Sequence, residues 1–319
     1  MDITQPNLDI IFRSADNRFQ SALLSTETIV KQIATTIPMG TRQLTQGWLD
    51  RIPMMRKWTG NRVINNAVTH ARPIIAEPYE NTLGLDVFDV RDDQLGVFSF
   101  AVQMLGEAVA KNPDKLNWDF LQQAATLLGY DGVPVYSASH PLLGGVAGPL
   151  PVGAPTVQSN LHLNFDLNYD NFVQARAEMR SWVGADGAPM MVTPTHIMVP
   201  PLLEGAAKLI LEADFLSNID GNTTAPQSNT YKGACKIIVN PWASAWDENW
   251  WLLDLSSAIK PFADYQLDAP QFTYLTSPTD ANVFMSHQFL YGAQARSAAS
   301  ETVWWLSMAC TGEAAYIHS

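Results

Sequence analysis

The clearest periodic pattern of apolar residues lies between positions 92 and 128. One helix face is formed at regular spacing by Phe98, Ala101, Val102, Leu105 and Val109. This spacing predicts a helix over 92–111, with Asp92 or Asp93 as its N-cap. Pro113 then begins a second predicted helix, which runs over 113–128 and is closed by Gly129.

The stretch before these helices, from 62 to 90, lacks a clean alternation of apolar and polar residues. It is interpreted as two extended runs that meet near Pro73 and Pro78, and proline cannot donate a hydrogen bond to a sheet ladder. A long, polar, two-stranded element is only marginally stable by itself in water. We therefore expect an extended hairpin that finishes folding against a neighbouring molecule.

The rest of the chain alternates between helical and strand-like patterns. Helices are predicted over 8–24, 170–183 and 202–216, with a looser, partly helical segment to about 37. Short strands are predicted over 193–201, 234–241, 249–255, 270–276, 282–298 and 302–312. Because helices and strands interleave towards the end of the chain, an α+β fold with one composite core is expected.

Charge is distributed unevenly along the chain, whose net charge is −12. Residues 1–72 carry nine bases and five acids, whereas residues 73–319 carry ten bases and 26 acids. One interpretation is an acidic protein with a mildly basic end. The other is that the basic N-terminal segments lie on acidic faces of neighbouring subunits. Neither part has the clustered basic surface that nucleic-acid binding needs.

The sequence predicts neither a membrane span nor a secretory leader. No apolar run approaches 18 residues, and the first 25 residues lack an uninterrupted apolar core. A soluble protein made inside the cell is therefore expected, with Cys235 and Cys310 as buried thiols. The short arm that starts at Met1 favours a chain with no large fused scaffolding domain, or one from which it has been removed.

The search for catalytic or metal-binding motifs gives none: HExxH, GxSxG, P-loop and GxGxxG patterns do not occur, and no two histidines have metal-ligand spacing. Ser139 and His140 are adjacent, but neighbours in an extended chain point to opposite faces, so direct activation is not expected. His162 and Asp166 are interpreted as a surface pair on a predicted strand over 161–167.

Asp247 and Glu248 lie beside tryptophans 246, 250 and 251. Carboxylates among tryptophans are typical of a sugar-binding patch, but a turn leading into a core strand has the same composition and is the favoured interpretation. No catalytic, cofactor-binding or metal-ligating residue is predicted.

Four sequence blocks resemble the major head (capsid) proteins of Mu-like tailed phages. They are GWLxxxPxxxxWxGxR at 47–62, LG at 83–84 with DDxLGVF at 92–98, NPDxL at 112–116 with YDGx₇HP at 130–141, and FLYGAQAR at 289–296. The blocks occur in the family's order over roughly 47–312. The sequence departs from the family pattern over 144–170 and 217–231.

The resemblance implies the HK97-like phage capsid fold, an α+β fold shared with encapsulins. Its expected parts are an N-terminal arm (1–46), an entry segment and extended E-loop-like hairpin (47–91), the spine helix with the start of the P-domain (92–160), an A-domain (161–280) and return strands of the P-domain (281–319).

The implied function is that of a major capsid protein. Identical subunits would form hexamers and pentamers of an icosahedral head around double-stranded DNA, without sequence-specific DNA binding. Assembly would take place in the host cytoplasm. The resemblance implies a portal and a scaffold as further partners, implies no cofactor, and leaves a decoration protein open.

The predicted inter-subunit packing residues are Trp48, Trp58, Arg62, Arg72 and Tyr79. For the two tryptophans, burial within a single subunit is an equally open interpretation. Three other functions remain as alternatives: an encapsulin-like or gene-transfer shell protein of the same fold, a tail-tube or baseplate protein, and an enzyme built on the C-terminal strands around Asp247 and Glu248.

Overall fold

The computed structural model describes residues 5–49, 69–92, 97–142, 156–184, 187–216, 227–277 and 279–312. The α-helices are α1 (Gln5–Ser25), α2 (Val30–Ile33), α3 (Val87–Asp92), α4 (Val97–Ala110), α5 (Asn112–Gln123), α6 (Tyr169–Ser181), α7 (Glu204–Glu212) and α8 (Ala281–Ser286). Short 3-10 helices lie at Pro201–Leu203, Pro241–Ala245 and Trp304–Leu306.

The strands complete the α+β composition. They are β1 (Ala34–Pro38), β2 (Gln43–Leu49), β3 (Thr69–Ile75), β4 (Glu77–Asp86), β5 (His140–Pro141), β6 (Val157–Gln158), β7 (Leu161–His162), β8 (His196–Val199), β9 (Phe215–Leu216), β10 (Gln227–Ser228), β11 (Lys236–Val239), β12 (Trp250–Leu253), β13 (Phe262–Leu275), β14 (Gln288–Glu301) and β15 (Ser307–Cys310).

The first sheet has the strand order β1-β13-β14-β4. β13 and β14 form a long antiparallel hairpin joined through α8, β4 is antiparallel to β14, and β1 is parallel to β13. Both edge strands therefore come from the N-terminal quarter of the chain. The register of β13 shifts on either side of Asp268, which marks a bulge.

The second sheet, β11-β8-β12-β15-β7, is buried on both faces. Successive side chains of a strand point to opposite faces, so Trp251 and Leu253 enter an apolar cluster with α5, whereas Trp250 and Leu252 enter another with α6 and α7. All four residues of β12 are fully buried. A strand covered on both faces is uniformly apolar, as the sequence WWLL is.

α1 packs closely along α4 because the crossing point carries a glycine. A Cβ added at Gly106 would lie 2.7 Å from the carbonyl oxygen of Phe19 and 3.0 Å from the Cβ of Ala22. Phe19 is fully buried and its ring stacks on Phe272 of β13 at 4.7 Å. The close approach of the two helices therefore seals α1 onto the first sheet.

A second joint fixes the arm just after α1. The carboxylate of Asp114, on α5, accepts hydrogen bonds from the backbone N–H groups of Ile29 (3.2 Å) and Val30 (2.7 Å) at the start of α2. The amide of Lys260 donates to Thr35 Oγ1 at 3.1 Å. These bonds hold β1 against β13, where Thr36 lies opposite Asp264.

The hairpin differs from the prediction in its strands. The antiparallel pair is β2 with β3, from Gln43 opposite Ile75 to Leu49 opposite Thr69. Residues 77–86, predicted as part of the hairpin, form β4 of the first sheet instead. Pro73 lies in β3 and Pro78 in the edge strand β4, positions where the missing N–H is tolerated. Residues 62–68 lie outside the described ranges.

Several predicted helices are confirmed with shifted ends. The 92–111 helix begins at Val97, and Asp92 belongs to the preceding helix α3, so it is not the N-cap of α4; Asp93 lies outside the described residues. α5 ends at Gln123 and not at 128, because the carbonyls of Ala124 and Leu127 accept hydrogen bonds from the amides of Tyr136 and Val135.

Two predicted strands were wrong in part. The first third of 282–298 is helix α8, which ends at His287 in the left-handed conformation (φ 51°). The strand over 161–167 ends at His162, and Asn164 also has positive φ (55°), which breaks the extended backbone. The remaining predicted strands contain β8, β11, β12, β13 and β15, and β13 begins eight residues earlier than the predicted 270.

We predict that Gly106→Ala destabilises the subunit by about 1–3 kcal/mol, because overpacking forces α1 away from α4. The matched control is Gly205→Ala in α7, where a Cβ meets no atom within 4 Å. There alanine should raise stability by about 0.5 kcal/mol through helix propensity. Urea unfolding of both variants measures the difference, and equal effects would contradict the close crossing.

We also predict that Asp264 makes the folded subunit less stable as pH rises. Burial, and secondarily the charge of Asp114, raises the pKa of Asp264 from 3.8 to about 6. A raised folded-state pKa favours the protonated form, so this contribution to stability is full below pH 4 and is lost as pH rises through about 6.

Asp264→Asn should therefore stabilise the subunit at pH 7, by about 1–3 kcal/mol, and much less at pH 4. The control is Asp268→Asn, on the same strand but paired with Arg296. Urea unfolding at both pH values is the measurement. A gain from Asp264→Asn that is equal at pH 4 and pH 7 would refute the prediction.

Candidate inter-subunit surfaces

The β2–β3 hairpin leaves the body with few contacts of its own. Among the described residues, these two strands form a separate two-stranded sheet. Its base is anchored where Ile74 and Ala76 are buried against Tyr265, and the amide of Ala76 donates to the carbonyl of Arg42. Ile75, by contrast, is 47% exposed. The hairpin thus offers edges that nothing in the described chain covers.

Arg72 ties this hairpin to the first sheet. Its Nη1 lies 2.7 Å from Glu301 Oε2 and 3.4 Å from Ser300 Oγ, and its Cζ is 5.9 Å from the ring centre of Phe120. Both charged side chains are largely buried. These contacts are made within one chain, and the packing of Arg72 against a neighbour stays a prediction.

Tyr79, on β4, lines a cleft of about 160 Å³ beneath the α4–α5 junction. Burial, and then the charge of Glu77, raises the pKa of Tyr79. The cleft also contains Glu80, Asp264 and Asp268. It is therefore an acidic surface of the kind that the charge distribution predicted.

The structure describes only one of the other three predicted packing residues. Trp48 lies in β2 opposite His70 in β3. Trp58 and Arg62 fall outside the described residues. Arg72 lies in β3 of the two-stranded sheet and Tyr79 in β4 of the first sheet, and the structure does not join them in one site.

Large apolar side chains that sequence reasoning did not single out are exposed on three helices. Phe284 and Met285 of α8 are 84% and 80% exposed. Phe100 and Met104 lie one turn apart on α4 and are 60% and 67% exposed. Leu209 on α7 is similarly open. The neighbouring pairs on α8 and α4 are candidates for protein–protein contacts, whereas a single exposed apolar residue is common. The sequence signal that could have revealed the pair on α4 is that Phe100 and Met104 are apolar but lie off the buried stripe of that helix.

His140 is a buried structural residue and not a base for Ser139. Its Nε2 lies 2.9 Å from Asn160 Oδ1, which also accepts from the amide of Ser137. Because the amide nitrogen of Asn160 donates to the Val135 carbonyl, Oδ1 can only accept, so Nε2 carries a proton. Nδ1 contacts Asp131 Oδ2 at 2.6 Å. Both ring nitrogens are thus occupied.

The other candidate chemical groups also have structural roles. His162 pairs with Glu178 of α6 at 2.9 Å and not with Asp166, because the strand ends before Asn164. Asp247 and Glu248 form an exposed turn, while Trp250 and Trp251 are core residues. The favoured interpretation, a turn leading into a core strand, is therefore confirmed.

The two cysteines are buried free thiols. Burial raises the pKa of Cys235 to about 11 and that of Cys310 well above its ordinary value. Within the described ranges, no group of three or more metal-ligating side chains comes together. No helix in the described part of the chain is long and apolar enough to cross a membrane.

Comparison with known proteins identifies the family of the chain. The family model for the Mu-like prophage major head subunit gpT matches residues 8–164, 145–243 and 243–315. The major capsid protein of Escherichia phage Mu is 26% identical over 305 residues, covering 75% of this chain and 99% of the relative.

Solved capsids share the fold. The procapsid subunit of bacteriophage JBD30 superposes with a TM-score of 0.61 at 25% identity, covering 98% of this chain and 77% of that one. The capsid subunit of a native GTA particle shares the fold alone, with a TM-score of 0.51, 13% identity and coverage of 89% and 90%. The chain therefore belongs to the Mu-like prophage major head subunit family: it is a structural protein with the HK97-like fold that self-assembles into the capsid shell of a phage head, not an enzyme.

Proposed function

We propose that the subunits of this head protein form hexamers and pentamers around double-stranded DNA, each presenting the exposed face of its arm and its β2–β3 hairpin to a neighbour. The observation that carries this proposal is the hairpin itself, a two-stranded element that pairs with no other described strand. Such an element is marginally stable alone, so a neighbouring surface completes it. Interfaces of obligate assemblies typically bury about 2,000 Å² or more.

The proposed contact residues are Trp48, Trp58, Arg62, Arg72 and Tyr79. Basic segments of residues 1–72 would meet acidic surfaces such as the cleft that holds Glu80 and Asp264. Within the subunit, we propose the arm, hairpin, spine, A-domain and P-domain division. β13 lies in the first sheet with β14, and we therefore place the change from A-domain to P-domain before Phe262, and not at 280.

Assembly in the host cytoplasm, with a portal and a scaffolding protein as partners, completes the proposal. The acidic remainder of the chain, residues 73–319, would repel packaged DNA and release it readily. The GTA capsid subunit shares the fold alone, and the family match does not favour the alternative of a gene-transfer shell.

We expect the protein expressed alone to form closed shells or five- and six-fold capsomers, seen by negative-stain microscopy and confirmed by light-scattering mass. A monomer of 35.2 kDa that also fails to assemble with a scaffolding protein would contradict the proposal. Protection of the β2–β3 amides from hydrogen exchange should appear only in the assembled form. Equal protection in an isolated subunit would refute the role given to the hairpin.

We further expect shells or capsomers to loosen as salt rises from about 0.05 M to about 1 M, because the Debye length falls from over 10 Å to about 3 Å. Light scattering across the salt series measures this. An uncharged denaturant series provides the control for general stability. Assembly that is unchanged at 1 M salt would rule out docking of the basic arm by charge.

A further inference from the structure

A shallow pocket on the outer side of α6 carries two arginines. It measures about 340 Å³ and lies between one face of the helix and a single tyrosine. Its lining residues are Val173, Arg176, Ala177, Arg180, Ser181 and Tyr231. The five helix residues follow the i, i+3, i+4, i+7, i+8 spacing of one face, so both guanidinium groups belong to the same side of α6.

The helix that presents these arginines is firmly held. Phe172, Ala175 and Met179 form its opposite, fully buried face against the second sheet. Asn168 caps its first turn by accepting a hydrogen bond from the amide of Asn171 at 2.9 Å. The pocket is therefore built on a rigid element, which keeps the cost of ordering it on binding low.

Arg176 is pre-oriented and interacts with the Cys235 thiol, but one of its donors has no acceptor in the described part of the chain. Its Cζ lies 5.8 Å from the ring centre of Tyr231, whose ring also packs edge-on against Phe172 at 6.1 Å. Its Nε is buried and has no hydrogen-bond partner among the described residues. A buried donor without an acceptor is costly, so a ligand that supplies an acceptor is strongly favoured.

The two arginines also differ from those bases of the acidic part of the chain that form ion pairs within the subunit. The bases paired with carboxylates of their own chain are Lys115, Lys208, Lys232 and Arg296. Within the described ranges, no carboxylate oxygen lies within 4.0 Å of the charged nitrogens of Arg176 or Arg180. Glu178, between them on the helix, is already engaged with His162.

We propose that this pocket binds a carboxylate of a second copy of the subunit in the shell. A planar guanidinium group can pair through two hydrogen bonds with two oxygens of one anion, carboxylate and phosphate alike. The carboxylate is favoured because residues 73–319 carry 26 acids and ten bases: neighbouring copies supply many carboxylates, whereas the same excess repels the polyanion DNA. The proposal rests on the proposed assembly of identical subunits.

The first test is the double variant Arg176→Gln/Arg180→Gln, with Lys208→Gln/Lys232→Gln as matched control. The control removes the same charge, but from bases paired within their own chain. Only the arginine variant should raise the concentration for half-maximal assembly, by about tenfold or more, because charge-assisted hydrogen bonds are lost. An unchanged concentration, or an equal rise in the control, would overturn the proposal.

The second test does not depend on shells forming. Fluorescence anisotropy of labelled hexaglutamate measures binding to wild type and to both variants in low salt, with circular dichroism confirming their fold. Wild type and the lysine control should bind and the arginine variant should not. Binding that the arginine variant retains, or no binding by wild type, overturns the pocket. A DNA oligonucleotide that binds more tightly than the peptide, and through the same arginines, overturns the carboxylate assignment.

These two measurements separate the failure of the pocket from the failure of the proposed function. If wild-type protein bound hexaglutamate through Arg176 and Arg180 but never assembled, the shell and the second copy as occupant would fail, while the carboxylate pocket would stand. If shells formed normally while both arginine tests gave no effect, only the pocket would fail.

Discussion

The attachment of the N-terminal quarter to the β13–β14 hairpin is the constraint on which the rest of the subunit depends. β1 lies on one edge of this hairpin and β4 on the other, so the β2–β3 hairpin is an excursion between two fixed points of the same sheet. Arg72 and Glu301 join the excursion to the sheet through a largely buried ion pair. Such a pair adds little net stability, but losing one partner costs about 3–5 kcal/mol, so it specifies where the hairpin leaves the body.

The parts of the fold that the sequence predicted are those governed by local periodicity. α4 and α6 bury one stripe each, and their apolar spacing identified both. The strands of the hairpin could not be identified in this way, because β3 and β4 are almost continuous in sequence and only their hydrogen-bond partners separate them. Pairing over long sequence distances carries no local signal in a polar strand.

The candidate surfaces, too, were predictable from the sequence only in part. The basic segment 1–72 and the acidic segment 73–319 were visible in the sequence. The acidic residues of the cleft around Tyr79 belong to the acidic segment. The exposure of Phe284 and Met285 was not predicted, because a strand was expected where the structure has α8. This short helix connects β13 to β14, and its composition resembles that of a strand. The missing acceptor for Arg176 Nε within the described chain depends on how separate segments pack around it, so composition could not reveal it.

The body and the N-terminal arm are stabilised by different balances of interactions. Apolar burial on both faces of the second sheet fixes the body, and β12 is its fully buried centre. The arm combines apolar burial of Phe19 and Ile33 with polar contacts, namely the amide bonds to Asp114 and the parallel β1–β13 ladder, and the hairpin adds the Arg72–Glu301 pair. Polar contacts respond to salt and pH far more than apolar burial does. Changes of salt and pH are therefore expected to act first on these polar contacts of the arm and hairpin, while the apolar centre of the second sheet keeps its shape.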